Sequence, residues 1–153
     1  MVLAQEPITR LFGYAAGLHI KSQRIAEREL KAAGITYAQF GVLAALAEKD
    51  GRTQRELADH LETDANTVMV ICDGLEKKGC VQRRADSADR RIWRICVTRA
   101  GASRFAGAYA IVRGLYRPLS AIVTADQIRR ALPVLEKLYA HVKERELDRG
   151  GRS

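Results

Sequence analysis

The stretch that decides the fold runs from Thr53 to Thr98 and reads TQRELADHLETDANTVMVICDGLEKKGCVQRRADSADRRIWRICVT. It contains a short helix pattern, a tight turn and a second helix pattern that ends in Lys-Lys-Gly. Two short strand patterns follow, joined by an arginine-rich loop. This order is typical of a winged helix-turn-helix, so we expect a mainly helical α+β chain with a small β-hairpin wing.

Both helices of this stretch carry start and stop signals. Thr53 is placed to cap the first helix, with Glu56 at the capping-box position three residues later. Thr63 or Asp64 is placed to cap the second helix, which we expect to end at Gly79. The sequence therefore predicts two short helices with a tight turn between them.

The strand patterns lie at Cys80 to Arg84 and at Ile92 to Val97. In the second strand apolar residues alternate with others, with Trp93, Ile95 and Val97 set against Arg94 and Cys96. Because side chains alternate across a strand, we expect the apolar set to be buried and the other set to face water or DNA.

Helix patterns of unusual length flank the stretch. Ahead of it, apolar spacing predicts a helix from Ile8 to Ala32 with Gly34 as its stop. A second helix opens at Thr36, with Gln39 as its capping-box partner. Its predicted buried stripe consists of Phe40, Leu43 and Ala47.

Behind the stretch, helices are predicted from Ala102 to Leu119 and from Thr124 or Asp126 to Leu147. Pro133 should kink the last helix or break it earlier. The final residues, Asp148 to Ser153, have the composition of a loose tail.

These patterns divide the chain into four parts. Residues 1–35 form an N-terminal dimerisation helix, 36–100 the DNA-binding head, 101–147 the C-terminal dimerisation helices, and 148–153 the tail. The flanking helices carry more apolar surface than one small head can cover. We therefore expect them to pack against a second copy of the chain in a two-fold homodimer.

Charge is concentrated beside the predicted head. The net charge is +8 and the isoelectric point is about 9.8. Between Lys77 and Arg104 nine basic residues face only two acidic ones, Asp86 and Asp89. A basic surface placed next to a helix-turn-helix favours a nucleic-acid partner.

Other features exclude several classes of protein. The three cysteines have no disulfide-framework spacing, the first residues lack a signal-peptide core, and no apolar run reaches the ~18 residues of a membrane span. We expect a cytoplasmic protein with no membrane contact. No metal-ligand spacing, phosphate-binding glycine loop or catalytic arrangement is visible, so we expect no metal, no cofactor, no catalytic residues and no enzyme activity.

The second helix of the head has a predicted groove face. At 100° per residue, Val68, Ile71, Cys72 and Leu75 face the core, and the opposite side carries Asn66, Met69, Val70, Asp73 and Lys77. Asn66 suits adenine and Met69 or Val70 a thymine methyl, while Thr67 and the backbone N–H groups near Asp64 suit phosphate. In the alternative reading, Asn66 and Thr67 only complete the helix cap.

The wing and the start of the preceding helix supply further predicted contacts. Arg90 and Arg91 end the wing loop, where they can reach a minor groove. Asp89 should orient an arginine, with Arg91 as its first partner. The predicted DNA-binding residues are Thr53, Gln54, Arg55, Asp64, Asn66, Thr67, Met69, Val70, Lys77, Arg83, Arg84, Arg90, Arg91 and Arg94. A solvated hairpin without a partner is the alternative for the wing.

With these residues in place, the chain resembles the multiple-antibiotic-resistance regulator (MarR) family of bacterial transcription factors. Asp89-Arg90-Arg91 followed by Ile-Trp-Arg-Ile-Cys and Val97-Thr98 is similar to the family's D-x-R-x5-L-T wing signature, with valine in the leucine place. Leu75-Glu76-Lys77-Lys78-Gly79 and Thr36-Tyr-Ala-Gln39-Phe40 resemble two further family motifs. One departure is Met69 and Val70, which stand where the family often has a polar residue and an arginine.

The resemblance implies a homodimer that places two winged heads on a pseudo-palindromic operator in double-stranded DNA. It also implies repression that a small molecule relieves, often a phenolic or other aromatic acid held between head and dimer helices. The candidate ligand-binding residues are Tyr14, His19, Arg24, Tyr37 and Phe40.

Two other functions compete with a ligand-responsive repressor. A thiol-based redox sensor on the same scaffold is suggested by Cys72, Cys80 and Cys96, with Cys80 beside a cluster of cations. A plain interaction module without specific DNA binding is the other alternative.

Overall fold

The computed structural model describes residues 6–150, with side chains described through residue 145. It is mainly helical with a small antiparallel sheet, which confirms the predicted fold class. In chain order the elements are α1 Pro7–Leu30, a 3-10 helix Lys31–Ala33, α2 Tyr37–Glu48, β1 Arg52–Thr53, α3 Gln54–Leu61, α4 Ala65–Lys77, β2 Val81–Ala85, β3 Trp93–Val97, α5 Arg99–Tyr116, a second 3-10 helix Arg117–Ala121, and α6 Ala125–Gly150.

The chain divides into two compact units at the Arg113–Gly114 boundary. The first unit contains the sheet, α1 to α4 and most of α5, and the second contains the end of α5, the second 3-10 helix and α6. The four-part division by function stays a prediction.

The entry into α2 follows the predicted signals. Gly34 takes φ +69°, a left-handed conformation that glycine adopts without strain, and ends the first 3-10 helix. Thr36 Oγ1 accepts a hydrogen bond from the Gln39 N–H at 3.1 Å, and the Gln39 amide oxygen accepts one from the Thr36 N–H at 3.2 Å. This reciprocal pair confirms the predicted capping box.

The core of the first unit is centred on α2, which contacts α1, α3, α4 and β3. Because neighbours surround it on several sides, α2 buries a wider arc than the single stripe predicted from spacing. Leu43 is buried as predicted, but Ala47 is exposed and Phe40 is half-buried. The largest fully buried side chains are Leu30, Val42, Leu43, Leu46, Leu57, Val68, Cys72, Leu75, Cys80 and Ile95.

The sheet has three strands in the order β1-β3-β2, all antiparallel. The prediction of two strands was therefore incomplete, because it missed β1. This strand is only two residues long and ends at Thr53, the threonine that caps α3, so it has no alternating pattern of its own. The prediction that Trp93, Ile95 and Val97 share one buried face was also wrong in part. Ile95 is fully buried, Val97 is half-buried, and Trp93 is 56% exposed because the hairpin extends beyond the core.

The second unit bears on two predictions about the end of the chain. α6 runs from Ala125 through Pro133 without a break, so the kink, the other branch of that prediction, stays a prediction. The helix continues to Gly150 rather than ending at Leu147, so residues 148–150 of the predicted tail are helical. Residues 151–153 of that tail lie outside the described residues.

Over residues 6–150, no single helix has both the length and the apolar character to cross a membrane; the pair of α1 with its 3-10 extension and α2 passes that test together, but it is bent by 82°.

Candidate nucleic-acid interface

The helix-turn-helix is built from α3 and α4. Thr53 Oγ1 accepts from the Glu56 N–H at 3.1 Å and the Glu56 carboxylate accepts from the Thr53 N–H at 2.7 Å, which confirms the predicted capping box. That backbone hydrogen bond is the main reason why the pKa of Glu56 is lowered. Glu62 ends α3 in the left-handed region, at φ +53°, and turns the chain toward α4. The capping hydroxyl of Thr53 is therefore engaged within the protein.

Asp64 rather than Thr63 caps α4. Its carboxylate accepts from the Thr67 N–H at 2.8 Å and from the Thr67 hydroxyl at 2.6 Å. The hydroxyl bond is the main reason why the pKa of Asp64 is lowered. The Thr67 side chain therefore completes the helix cap, as the alternative interpretation had it. Asn66 is exposed and makes no side-chain hydrogen bond within the described chain.

The two sides of α4 differ as the helical period predicts. Val68, Cys72 and Leu75 are buried against the core, and Ile71 is half-buried. Met69 is 43% exposed and Val70 66% exposed on the other side. That outer side also carries Asn66, Asp73 and Lys77.

The two lysines at the end of α4 have different surroundings. Lys78 Nζ donates to the Gly34 carbonyl at 2.7 Å and to the Gln39 side-chain oxygen at 2.8 Å. It thereby ties the end of α4 to the start of α2. Lys77 is exposed on the outer side of the helix and keeps its charge available to a partner.

Arg83 on β2 is held inside the head. Its guanidinium donates to the carboxylates of Asp73 and Glu76 on α4, and its backbone N–H donates to Glu76 at 3.2 Å. The hydrogen bond to Asp73 is the largest cause of its raised pKa. Arg83 therefore fixes the wing to α4 with its charge neutralised by two carboxylates, and its predicted DNA contact stays a prediction.

Arg94 on β3 is engaged in the same way. Its guanidinium pairs with the Asp86 carboxylate, donates to the Gly51 carbonyl at 2.8 Å and lies 3.8 Å from Glu56. The bond from Arg94 is the main reason why the pKa of Asp86 falls to about 2. These contacts join the wing, β1 and α3, and a DNA contact of Arg94 stays a prediction.

The wing loop is closed by two aspartates. Asp86 Oδ1 accepts from the N–H groups of Ala88 at 2.7 Å and of Asp89 at 3.1 Å, in addition to the pair with Arg94. Asp89 Oδ1 accepts from the backbone N–H of Arg91 at 3.0 Å. Asp89 was expected to orient the Arg91 guanidinium, but it holds the Arg91 backbone instead. Of the two loop aspartates, it is Asp86 that pairs with an arginine side chain, a role that the sequence did not reveal.

The remaining predicted contacts lie at the surface of the head. Arg84, Arg90 and Arg91 are exposed, and within residues 6–145 none of the three forms an ion pair with a carboxylate. At the start of α3, Arg55 is exposed and Gln54 is half-buried. The structure thus leaves a cationic wing tip beside the exposed side of α4.

Thr98 is a further positioning residue that sequence analysis did not single out as a site. Its hydroxyl donates to the Gly79 carbonyl at 2.7 Å and accepts from the Gly101 N–H at 3.0 Å. The start of α5 therefore rests directly on the chain between α4 and β2. A Cβ on Gly101 would lie 1.9 Å from the Cys80 carbonyl oxygen, so only glycine fits there.

The candidate ligand-binding residues are not brought together as a set. The Tyr37 and Phe40 rings lie 6.4 Å apart, and Phe40 stacks on Phe105 of α5 at 5.6 Å. Phe105 continues the row to Tyr109 at 5.8 Å. The other three candidates are exposed positions of α1, namely Tyr14, His19 and Arg24. Phe105 and Tyr109 could have been proposed from sequence only by knowing that α5 packs on α2.

The cysteines lack the features of a reactive thiol. Cys72 is fully buried, and burial raises its pKa to about 11. Cys80 is fully buried as well, and its Sγ lies 3.7 Å from the Lys78 carbonyl oxygen. Cys96 is half-buried with a pKa that burial raises. In the part of the chain that the structure describes, no group of three or more His, Cys, Asp and Glu side chains could hold a metal ion.

The fold and this surface define a winged helix-turn-helix DNA-binding protein, and comparison with known proteins gives the family. The MarR family model matches residues 33–92. The HTH-type transcriptional repressor Mb2911 of Mycobacterium bovis is 30% identical over 105 residues, which are 69% of this chain and 76% of the relative. The chain therefore belongs to the MarR family and is a DNA-binding transcriptional regulator. This membership also confirms that it is not an enzyme.

Solved structures agree with this assignment. BldR from Sulfolobus solfataricus aligns with a TM-score of 0.80 at 26% identity, covering 90% of this chain and 99% of BldR. The apo form of wild-type MarR from E. coli aligns with a TM-score of 0.71 at 28% identity, covering 87% of this chain and 97% of that protein. The similarity extends well beyond the head, into the flanking helices.

Proposed function

We propose that this regulator is a homodimeric repressor that binds a pseudo-palindromic DNA site, with α4 in the major groove and the wing tip over the adjacent minor groove. The observation that carries the proposal is the division among the wing arginines. Arg83 and Arg94 are neutralised by carboxylates, whereas Arg84, Arg90 and Arg91 are exposed beside the outer side of α4. Cations that no carboxylate of the described residues neutralises repel one another and favour a polyanion.

Specific contacts are assigned to a smaller set than the sequence suggested. Asn66, Met69 and Val70 are the candidates for base contacts, because they are exposed on the outer side of α4 near its N-terminus. The proposed phosphate and minor-groove contacts come from Gln54, Arg55, Lys77, Arg84, Arg90 and Arg91, and from the backbone N–H groups near Asp64 other than that of Thr67, which donates to the Asp64 carboxylate. Thr53, Arg83 and Arg94 are reassigned to positioning these elements.

Dimerisation is proposed from apolar surface that each unit leaves uncovered. On α1, Phe12 is 48% and Leu18 62% exposed. On α6, Leu132 is 49% and Val142 51% exposed. Exposed apolar side chains that repeat along whole helices mark a protein interface rather than a solvated surface. A homodimer also supplies the two heads that a palindromic site requires.

Repression is proposed because Mb2911, the relative described above, is named a transcriptional repressor. Release by a small aromatic ligand is the finer part of the proposal. The aromatic row of Tyr37, Phe40, Phe105 and Tyr109 supports it, because stacked rings with partly exposed faces suit an aromatic guest. Redox sensing has less support, since Cys72 and Cys80 are buried and burial raises the pKa of Cys96.

The test is a salt titration of binding to a pool of duplexes from the chain's own upstream region, with size determination in parallel. We expect a dimer that binds a few fragments tightly, with affinity that falls steeply as salt rises. Weak and uniform binding to all fragments would overturn sequence-specific regulation, and a monomer in the bound state would overturn the dimer. A candidate aromatic acid that releases the fragment from the parent but not from Phe40→Ala would support the ligand site.

A further inference from the structure

Two exposed positions on the outer side of α4 are apolar. Val70 is 66% exposed and Met69 43% exposed on the outer side of α4. Neither is needed by the core, which α4 meets through Val68, Cys72 and Leu75. An exposed apolar pair at the place where a DNA-binding helix meets the bases calls for an apolar partner.

The wing carries a third exposed apolar side chain, on the face from which Arg83 contacts α4. Trp93 pairs with Ala85 across the hairpin, one step outward from the pair of Ile95 with Arg83. Residues two apart on a strand share one face, so Trp93 lies on the same face as Ile95 and Arg83. The Arg83 guanidinium on that face reaches Asp73, one helical turn beyond Met69 and Val70.

The indole of Trp93 is left open by its surroundings. Its cross-strand partner Ala85 offers only a methyl group, and the side chain is 56% exposed. Within residues 6–145 the ring lies against no other aromatic ring and under no cation. Trp93 is thus an exposed apolar surface on the face of the wing from which Arg83 contacts α4.

Cations border this apolar surface. Lys77 extends from the far end of α4, and Arg84 and Arg90 extend from the wing. A duplex matches such a pattern, because its phosphates meet the cations while its groove holds the apolar groups. In the major groove, the only apolar group on a base edge is the 5-methyl group of thymine.

We propose that Met69 and Val70 contact thymine methyl groups in the major groove, and that Trp93 packs on a deoxyribose at the edge of the same site. The operator half-site therefore carries thymine at the positions that face Met69 and Val70. This inference rests on the proposed function, in which α4 enters the groove, and adds the base that it selects.

The test uses the fragment that binds most tightly in the upstream pool, remade with deoxyuridine in place of each thymidine in turn. This exchange removes one methyl group and keeps the base pair. We expect one or two positions per half-site where affinity falls about fourfold, the ratio that follows from losing one buried methyl group. Thymidines of the fragment that lie outside the bound site serve as the DNA control, and their exchange should leave the affinity unchanged.

Protein variants assign these methyl groups to side chains. Val70→Ala and Met69→Ala should each bind the thymidine duplex more weakly and lose sensitivity to deoxyuridine at one position. Arg84→Ala is the matched control, because loss of a phosphate contact should weaken both duplexes equally. Since these side chains are exposed, none of the variants should alter the thermal unfolding temperature.

Trp93 is the single tryptophan of the chain, so its emission reports on this position alone. Saturation with the duplex should quench or shift that emission, and Trp93→Ala should bind more weakly than Trp93→Phe. A fragment bound tightly but with no deoxyuridine sensitivity at any position would overturn the methyl contact alone. Unchanged Trp93 emission at saturation would overturn its place in the site. Absence of tight binding to any duplex would overturn the proposed function itself.

Discussion

The base of the wing and its tip contain the same residue type in different circumstances. At the base, Arg83 pairs with Asp73 and Glu76, and Arg94 pairs with Asp86. At the tip, Arg90 and Arg91 are exposed and no carboxylate pairs with them in the described structure. An arginine count therefore does not give a DNA footprint, because carboxylates from α4 and from the wing loop decide which guanidinium groups remain available.

The packing of α5 against the chain just before β2, beside the base of the wing, can be disrupted without changing any charge. Gly101 packs its Cα against the Cys80 carbonyl, and Gly101→Ala would place a Cβ 1.9 Å from that oxygen. Relief requires the backbone of α5 or β2 to move, so we expect a loss of about 3 kcal/mol in the free energy of unfolding. Denaturant unfolding measures this loss. Gly107→Ala is the matched control, since nothing lies within 4 Å of a Cβ there. Equal stability of the two variants would contradict the close approach.

The two arginine side chains at the tip can be removed without changing the stability of the fold. Arg90→Ala/Arg91→Ala should weaken binding to the preferred fragment about 100-fold, because two contacts to the duplex are lost. The unfolding temperature should stay that of the parent, because neither side chain pairs with another group in the part of the chain that the structure describes. Fluorescence anisotropy of a labelled duplex, with calorimetry of the free protein, measures both quantities. If affinity is retained, the wing tip does not contact DNA.

Loss of Arg83 at the base of the wing should have the opposite pattern, with an effect on stability. Arg83→Met removes the guanidinium that joins β2 to Asp73 and Glu76 and leaves two carboxylates unpaired. We expect about 1–2 kcal/mol less unfolding free energy, given that all three groups are partly exposed. Arg83→Lys, which keeps the charge but not the forked geometry, should recover only part of it. A fully stable Arg83→Met variant would show that the bridge contributes nothing.

Asp86 gives the smallest effect and a pH signature. Its pKa falls from an ordinary 3.8 to about 2 in the folded protein. A lowered folded pKa contributes stability that is present above the ordinary value and is lost as pH falls toward the folded value. The parent should therefore be more stable than Asp86→Asn near neutral pH, and the difference should shrink between about pH 4 and pH 2. Thermal unfolding of both proteins across this pH range measures the difference in stability. A difference that does not change with pH would show that ionisation of Asp86 is not its cause.

Local features of the fold were predictable from sequence. The capping boxes at Thr36 and Thr53 and the cap at Asp64 lie within three residues of their partners, so spacing reveals them. The alternation of buried and exposed positions along α4 follows from the helical period. Near-neighbour chemistry and periodicity therefore fixed the order of elements.

Long-range pairings were not predictable in the same way. Two-residue β1 has no pattern of its own and exists because β3 pairs with it. Arg83 and Arg94 read as DNA contacts because their partners, on α4 and across the wing loop, become visible only when the hairpin folds back. Trp93 read as core because alternation cannot tell where a hairpin leaves the body of the protein.

We expect the tip of the wing to contact DNA and the base not to contact it. The slope of log affinity against log salt tests it most directly, because each neutralised phosphate contributes about 0.9 to that slope. Arg90→Ala/Arg91→Ala should lower the slope by up to about 1.8, and Asp86→Asn/Arg94→Gln, which removes an internal pair, should leave it unchanged. Equal slopes for the parent and the tip variant, or a lower slope for the base variant, would contradict the account.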